Sequence, residues 1–377
     1  MSGEFDPAAE LGLFPDKIFV CNCYGFLTMN NYHRDLCARF IRNGNHFYNI
    51  VSRYDELCSY ILNRENISSG DMVKWMAPYL KANGATDHLV ERYGRADMKI
   101  MPGAEEAIRY ISRLMPSFIC TIMYEHGVIA LREMLGEPEC TYACSMVDFD
   151  GCDVSRSEAR RCREMGDRAN TLRIPKTKYP LNVSMEVDPD DVRVIRMMDD
   201  ATQVQIQTTP TLMKLMDDTT AMSSHKKAYN LLDIRRQTNI DLDSTVYIGG
   251  DGTDFQAMDL VRDAGGLSIA FNATDFGVRG ANVAVMSNDS TVGAVLVEQF
   301  YDKGIEAVRE LANNWDRKYL KNADFPDENV VSRMLAAHPR KLPEVVLVDR
   351  HNVDEIAERS DAYRKKLFGS RSTSKHE

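Results

Sequence analysis

Three short apolar runs, each leading into a polar or glycine-containing turn, restrict the fold of this chain most strongly. They are residues 17–21 (KIFVC), 117–123 (SFICTIM) and 244–248 (STVYI). A short run that is apolar throughout is typical of a strand buried on both faces of a parallel sheet. Amphipathic segments between the runs supply the helices that parallel crossovers require. The sequence therefore predicts an α/β fold with a doubly wound parallel sheet.

Two further apolar runs, residues 267–271 (LSIAF) and 283–286 (VAVM), extend the predicted sheet. Between the first two strands, residues 35–98 carry apolar side chains at three- and four-residue intervals, which predicts a helical cap. Residues 125–223 mix helical patches with polar, proline-containing stretches, and we interpret them as a second, mixed insertion. Within it, the alternating run 202–208 (TQVQIQT) predicts a short antiparallel strand.

Composition and charge restrict the partners and the compartment. Forty-six basic and 56 acidic residues give a formal charge of −10, whereas a nucleic-acid binder presents a strongly basic face. No apolar stretch approaches the ~20 residues that span a bilayer, and the N-terminal sequence lacks the pattern of a signal peptide. We therefore expect a cytoplasmic protein that neither binds nucleic acid nor inserts into a membrane. Its nine cysteines, an odd number, are expected to be free thiols.

The turns after the predicted strands carry polar residues in an informative order. NCYGFLT follows the first strand, Thr121 ends the second, Lys227 (or, less well, Lys226) lies in a helix, and GGDGTD follows a later strand. This order resembles the haloacid-dehalogenase superfamily, whose first motif is an apolar strand followed by Asp-x-Asp-Gly-x-Leu-Thr. The matching positions are Asn22, Tyr24, Gly25, Leu27 and Thr28 in the first motif, and Gly250, Asp251 and Asp254 in the fourth.

The chain most resembles a mainly archaeal branch of predicted hydrolases, also described as subunit R of energy-converting hydrogenase A. That branch reads Asp-Cys-Glu-Gly-Pro-Leu-Thr where this chain reads NCYGFLT. The resemblance implies a core and three additions. The core comprises residues 1–30, 100–124 and 224–297, with a helical cap at 31–99, an inserted substructure at 125–223, and a helical C-terminal extension with a polar tail at 298–377.

The first motif departs from the family where the chemistry occurs. In the superfamily the first Asp attacks phosphorus, but a neutral Asn22 amide is too poor a nucleophile to form an aspartyl phosphate. Tyr24 stands where the family has its general acid, and a phenol with a pKa of ~10 is a poor base at neutral pH. Thr121 and Lys227, which would hold a phosphoryl oxygen, are retained. The alternative is that Thr121 merely ends a strand and that Lys227 is a solvated helix lysine.

The implied Mg²⁺ site is weakened too. Asn22 removes an anionic ligand of the kind that Mg²⁺ prefers. The resemblance implies Asp251 and Asp254 as metal ligands, but they are out of register with the family's fourth motif. If Asp254 is the matching acid, the family's preceding acid falls on Gly250. In either register one expected carboxylate is missing or displaced.

These departures leave two classes of function open. The first is a binding or regulatory protein that keeps the cleft for a small anionic or phosphorylated ligand, or for a protein partner. The alternative is an enzyme of altered chemistry, or a residual Mg²⁺-dependent phosphatase. Cys21 and Cys23 flank Asn22, but strand alternation predicts that both point away from it as buried, inert thiols. His33 and His126 follow the first two motifs and could reach the cleft. A lone histidine is more often a satisfied surface or core residue, and we favour that structural role for both.

Overall fold

A seven-stranded sheet forms the centre of the computed structural model, which describes residues 16–177 and 187–369 of the chain. The strands are β1 (Ile18–Cys21), β2 (Ser117–Tyr124), β3 (Cys140–Ser145), β4 (Thr245–Gly249), β5 (Leu267–Phe271), β6 (Val283–Met286) and β7 (Glu344–Leu347). Their order is β3-β2-β1-β4-β5-β6-β7, and only the β6–β7 pair is antiparallel. The predicted α/β class with a doubly wound, mostly parallel sheet is confirmed.

The central strands are apolar throughout because both of their faces are covered. Every residue of β1, β4, β5 and β6 is buried. Along β1, Phe19 and Cys21 join the apolar layer on one face, whereas Ile18 and Val20 join the layer on the other. This two-sided burial explains why continuous apolar runs predicted these strands.

The order of the strands reverses beside β1, and this reversal positions the site. The chain passes outward from β1 to β2 and β3, then returns to β4 on the other side of β1. Cys21 is in register with Ile119 on one side and with Ile248 on the other. In doubly wound sheets, ligands bind in the crevice at the carboxyl ends of the strands where the order reverses. The turns after β1 and β4 both lie at this edge of the sheet.

Helices cover both faces of the sheet. In chain order they are α1 (Tyr32–Phe40), α2 (Gly44–Glu56), α3 (Met72–Ala82), α4 (Asp87–Asp97), α5 (Ala104–Leu114), α6 (Glu125–Met134), α7 (Arg156–Ala169), α8 (Pro189–Asp199), α9 (Pro210–Asp218), α10 (Ser224–Thr238), α11 (Phe255–Ala264), α12 (Asp275–Arg279), α13 (Thr291–Asn313), α14 (Arg317–Asn322), α15 (Glu328–Ala337) and α16 (Val353–Phe368). A π-helical turn, Leu57–Ile61, extends α2. No helix in the described parts of the chain is long and apolar enough to cross a membrane.

Helices of the predicted cap and of the predicted insertion pack together. Helix α3 of the cap contacts both α7 and α9 of the insertion. Arg64, after the π-helical turn, pairs with Asp199 at the end of α8, with Nη2 and Oδ2 2.9 Å apart. The two segments therefore share one helical layer, although the division of the chain into domains remains a prediction.

The antiparallel strand predicted at residues 202–208 is wrong. Helix α8 instead continues through a π-helical turn, Asp200–Val204, into a 3₁₀ turn, Gln205–Thr208. Thr202 Oγ1 donates to the carbonyl oxygen of Met198 (2.8 Å), which is a helical i to i−4 contact. Here the polar alternation has no strand partner, so it does not determine the conformation.

Two strands lie outside the predicted core. Strand β3 extends the sheet from within the range predicted as an inserted substructure, and β7 does so from the C-terminal extension. Helix α16 then packs on α12 and β6, beside the carboxyl ends of the central strands. The end of the predicted polar tail, from residue 370, lies outside the described residues.

Candidate functional site

Asn22 is buried directly after β1. Its Nδ2 donates a hydrogen bond to Asp254 Oδ2 (2.8 Å), and its Oδ1 accepts one from the backbone N–H of Cys23 (2.7 Å). Because a backbone N–H can only donate, this contact identifies which side-chain atom is the oxygen. The amide nitrogen of Asn22 therefore faces the carboxylate of Asp254.

Asp254 is the acid at the centre of the site. It lies at the start of α11, is fully buried, and accepts hydrogen bonds at both of its carboxylate oxygens. The donors to Oδ1 are Lys227 Nζ (2.7 Å) and the Tyr247 hydroxyl (3.1 Å). The donors to Oδ2 are Asn22 Nδ2 (2.8 Å) and the backbone N–H groups of Gly250 (2.9 Å) and Asp251 (3.3 Å). Asp254 thus accepts hydrogen bonds from three side chains and two backbone N–H groups.

Lys227 is a fully buried cation, so the alternative that it is a solvated helix lysine is wrong. It lies in the first turn of α10, and its Nζ donates to Asp254 Oδ1 (2.7 Å) and to Thr253 Oγ1 (2.8 Å). Burial alone would lower the pKa of Lys227, but the charges of Asp254 and Asp251 outweigh burial and raise it. The lysine therefore stays charged, and part of its charge is already neutralised by Asp254.

Asp251 lies in the turn after β4 and points its carboxylate back onto that turn. Its Oδ1 accepts from the backbone N–H of Thr253 (2.9 Å) and from the Thr253 hydroxyl (2.6 Å). Burial, reinforced by the charge of Asp254, raises the pKa of Asp251. The two predicted metal ligands thus have different environments. Asp254 accepts from one lysine, a tyrosine hydroxyl and amide N–H groups, whereas Asp251 mainly orders the loop.

Thr121 lies in β2, beyond the point where the ladder to β1 ends. Its buried hydroxyl accepts a hydrogen bond from the backbone N–H of Met123 (3.2 Å). Cys23 is buried and packs in the same apolar layer as Cys21, as expected of an inert thiol. Burial raises the pKa of Cys23 to about 12, against the smaller effects of Thr121 and Lys227. The thiol is therefore protonated at neutral pH and is not an activated nucleophile.

Tyr24 contacts the C-terminal helix, which the sequence did not connect with the site. Its ring centroid is 4.4 Å from the guanidinium carbon of Arg364 and 5.3 Å from the ring of Phe368. Arg364 is itself buried, and its Nη1 donates to the carbonyl oxygens of Asn272 (2.9 Å) and Gly250 (3.5 Å). A second buried cation therefore lies at the carboxyl ends of β4 and β5.

A residue of the predicted cap reaches the same loop. Tyr60, in the π-helical turn after α2, donates its hydroxyl hydrogen bond to the carbonyl oxygen of Gly252, and its ring stacks on Phe276 with centroids 4.3 Å apart. His126, for which a structural role was favoured, pairs with Asp87, with Nε2 and Oδ1 2.8 Å apart. Tyr60 and Arg364 stand far from the motifs along the chain, so no local pattern identifies them.

The side chains of the site do not fit the Mg²⁺ that the resemblance implies. Mg²⁺ prefers oxygen ligands in near-octahedral geometry. Asn22 presents an N–H donor to one oxygen of Asp254, and Lys227 binds the other oxygen. Within residues 16–177 and 187–369, no three His, Cys, Asp or Glu side chains are grouped so that they could hold a metal ion.

Comparisons with known proteins bear on the fold. No family model matches the chain, and a search of curated proteins finds no match. The structure of gene product AF1437 from Archaeoglobus fulgidus is similar, with a TM-score of 0.75 and 20% identity over 94% of this chain and 97% of that one. At this identity the likeness shows the fold alone.

Two structures of phosphoserine phosphatase are more distant. The phospho-aspartyl intermediate analogue has a TM-score of 0.42 and 14% identity over 73% of this chain and 95% of that one. The substrate-bound complex has a TM-score of 0.40 and 13% identity, covering 73% and 94%. At these TM-scores the likeness has no bearing on the chemistry of this chain.

Proposed function

We propose that this chain is a haloacid-dehalogenase-like protein with a remodelled site, which binds an anionic or phosphorylated ligand without cleaving it through an aspartyl phosphate. The observation that carries this proposal is the hydrogen bond from Asn22 to Asp254. In the motif that the chain resembles, a nucleophilic carboxylate would stand at position 22. Here the side chain is neutral and donates to a neighbouring acid, so it supplies no nucleophile.

The hydrogen bond also explains how the site remains stable without the carboxylate. Two buried carboxylates in contact need a cation between them, because like charges raise each other's pKa. An amide donor at position 22 satisfies Asp254 directly. The replacement therefore suits a site that has lost its metal. The resemblance to the archaeal branch of predicted hydrolases, with its altered first motif, is part of the same proposal.

The charge balance supports an anionic ligand. Lys227 and Arg364 place two buried cations around the crevice, against the carboxylates of Asp251 and Asp254. An aspartate at position 22 would add one further negative charge. At an effective dielectric constant of ~20, a unit charge at 4 Å contributes roughly 4 kcal/mol before desolvation, so its absence favours an anion.

The proposal is tested by two measurements on the purified protein. We expect its hydrolysis of p-nitrophenyl phosphate with Mg²⁺ to equal that of Asp254→Asn, the matched control for contaminating phosphatases. We also expect inorganic phosphate to raise the melting temperature more than chloride at equal ionic strength. Turnover that disappears in Asp254→Asn would instead support the residual phosphatase, and an absent phosphate effect would contradict ligand binding.

A further inference from the structure

Arg364, near the end of α16, is a buried cation that forms no ion pair with a carboxylate in the described parts of the chain. Its side chain is 95% buried, since its relative exposure is 5%. Within the described ranges, no carboxylate lies within 4 Å of its guanidinium. Its hydrogen-bond acceptors are the neutral carbonyl oxygens of Gly250 and Asn272, both reached by Nη1. Buried charges are ordinarily paired, because an isolated one is costly to desolvate.

The position of Arg364 is that of a ligand-binding residue. Gly250 follows β4 and Asn272 follows β5, so the guanidinium lies at the carboxyl edge of the sheet, where the crevice opens. It is close enough to Asp251 to lower the pKa of that acid, against the larger upward effect of burial. The two carbonyls and the ring of Tyr24 hold the guanidinium plane in place. An arginine held in this way loses little freedom when it binds an oxyanion through two N–H groups.

We propose that Arg364 is the residue that recognises the anionic group of the ligand, so that the C-terminal helix completes the binding site. Lys227 is less suited to this role, because Asp254 and Thr253 already accept its hydrogen bonds. The inference rests on the proposed function and specifies which cation performs it. The chemical class of ligand is an oxyanion such as a phosphate or carboxylate group, bound by the Nε and Nη2 edge of the guanidinium.

Helix α16 is attached near Arg364 by contacts that do not involve its charge. The hydroxyl of Ser360 donates to the carbonyl oxygen of Ala273 (2.7 Å), and Phe368 packs on Tyr24. These contacts allow the charge of Arg364 to be changed while the helix remains docked. Lys365, on the same helix turn, pairs with Asp361 at the surface and provides a matched control.

The test is a titration of the full-length protein with inorganic phosphate, at constant ionic strength, with the melting temperature as readout. We expect Arg364→Met to weaken the apparent phosphate affinity about tenfold or more, since a charge-assisted hydrogen-bond pair is lost. Arg364→Lys keeps the charge without the planar fork and should fall between Arg364→Met and the wild type. Lys365→Met should behave as the wild type.

The outcomes separate the two proposals. A wild-type phosphate response that Arg364→Met and Arg364→Lys both retain would overturn the role of Arg364 and leave the proposed function standing. A wild type that does not respond to phosphate would overturn both. If Arg364→Met does not fold, Arg364→Lys decides the question, because its affinity must then be lower than that of Lys365→Met.

Discussion

At the scale of single residues, the environment of Asn22 predicts the effect of placing an acid at this position. Asn22→Asp would place a carboxylate 2.8 Å from Asp254 Oδ2, where the amide now donates. We expect a loss of about 1–3 kcal/mol in the free energy of unfolding, because a buried donor is replaced by a repelling acceptor. The loss should be reversed by millimolar Mg²⁺, which bridges paired carboxylates.

The pH dependence of this variant has a definite sign. Repulsion raises the folded-state pKa of one acid of the pair above its unfolded value, so the folded protein binds the extra proton. The destabilisation should therefore be small near pH 5 and increase towards pH 8, as measured by urea unfolding. Asn22→Leu is the control, since it removes the donor without adding charge. A Mg²⁺ effect of equal size in Asn22→Leu would show that the metal acts elsewhere.

At the scale of elements, helix α1 packs against β2 through a buried histidine. His33 is 2% exposed, and its ring lies edge-on to that of Tyr124 with centroids 4.7 Å apart. Burial lowers the pKa of His33 to about 3. The folded state therefore excludes a proton that the unfolded chain binds below pH ~6.5. This contribution to stability is present at neutral pH and is lost as the pH falls.

We expect His33→Phe to reduce the acid sensitivity of the protein. Between pH 7 and pH 5 the wild type should lose about 2 kcal/mol more stability than the variant, because only the wild type must exclude the proton. Phe keeps an aromatic ring against Tyr124. His88→Leu, which removes an exposed histidine of α4, provides the control. Identical pH profiles for wild type and His33→Phe, measured by chemical unfolding, would contradict the prediction.

Elements differ in how far their own sequence determines them. Strands β1 and β4 were predicted because a strand buried on both faces is apolar at every residue. Gly25, in the turn after β1, has a φ of 100°, which glycine adopts freely. The run 202–208 failed because its alternation is compatible with both a strand and a helical turn, and tertiary packing decided between them.

The candidate site could be predicted only where it is built from local motifs. The positions of Asn22 and Lys227 followed from the order of the strands and turns along the chain. Arg364 lies 342 positions after Asn22 and belongs to a helix whose sequence carries no motif. Its role depends on where β7 and α16 return the chain, which is a property of the topology and not of any local pattern.

At the scale of the whole molecule, the apolar core does not follow the predicted domain boundaries. One continuous cluster of buried apolar side chains contains Phe19 of β1, Phe47 and Val73 of the predicted cap, and Leu212 of the predicted insertion. Segments that share one core are expected to unfold together. The structure therefore predicts that cap, insertion and sheet form one cooperative unit.

Native-state thiol exchange can measure this cooperativity, because all nine cysteines are free and seven of them are buried in different segments. The buried thiols of the sheet region are Cys21, Cys23 and Cys120, those of the cap are Cys37 and Cys58, and those of the insertion are Cys152 and Cys162. At low urea concentrations, we expect labelling of all seven to require the same free energy of opening, read site by site by mass spectrometry. The half-buried Cys140 and Cys144 on β3 should react first and serve as the internal control for accessible thiols. Faster labelling of the four cap and insertion thiols than of the three sheet thiols would show that the added helices open separately, and the core would then be divided as the sequence motifs predicted.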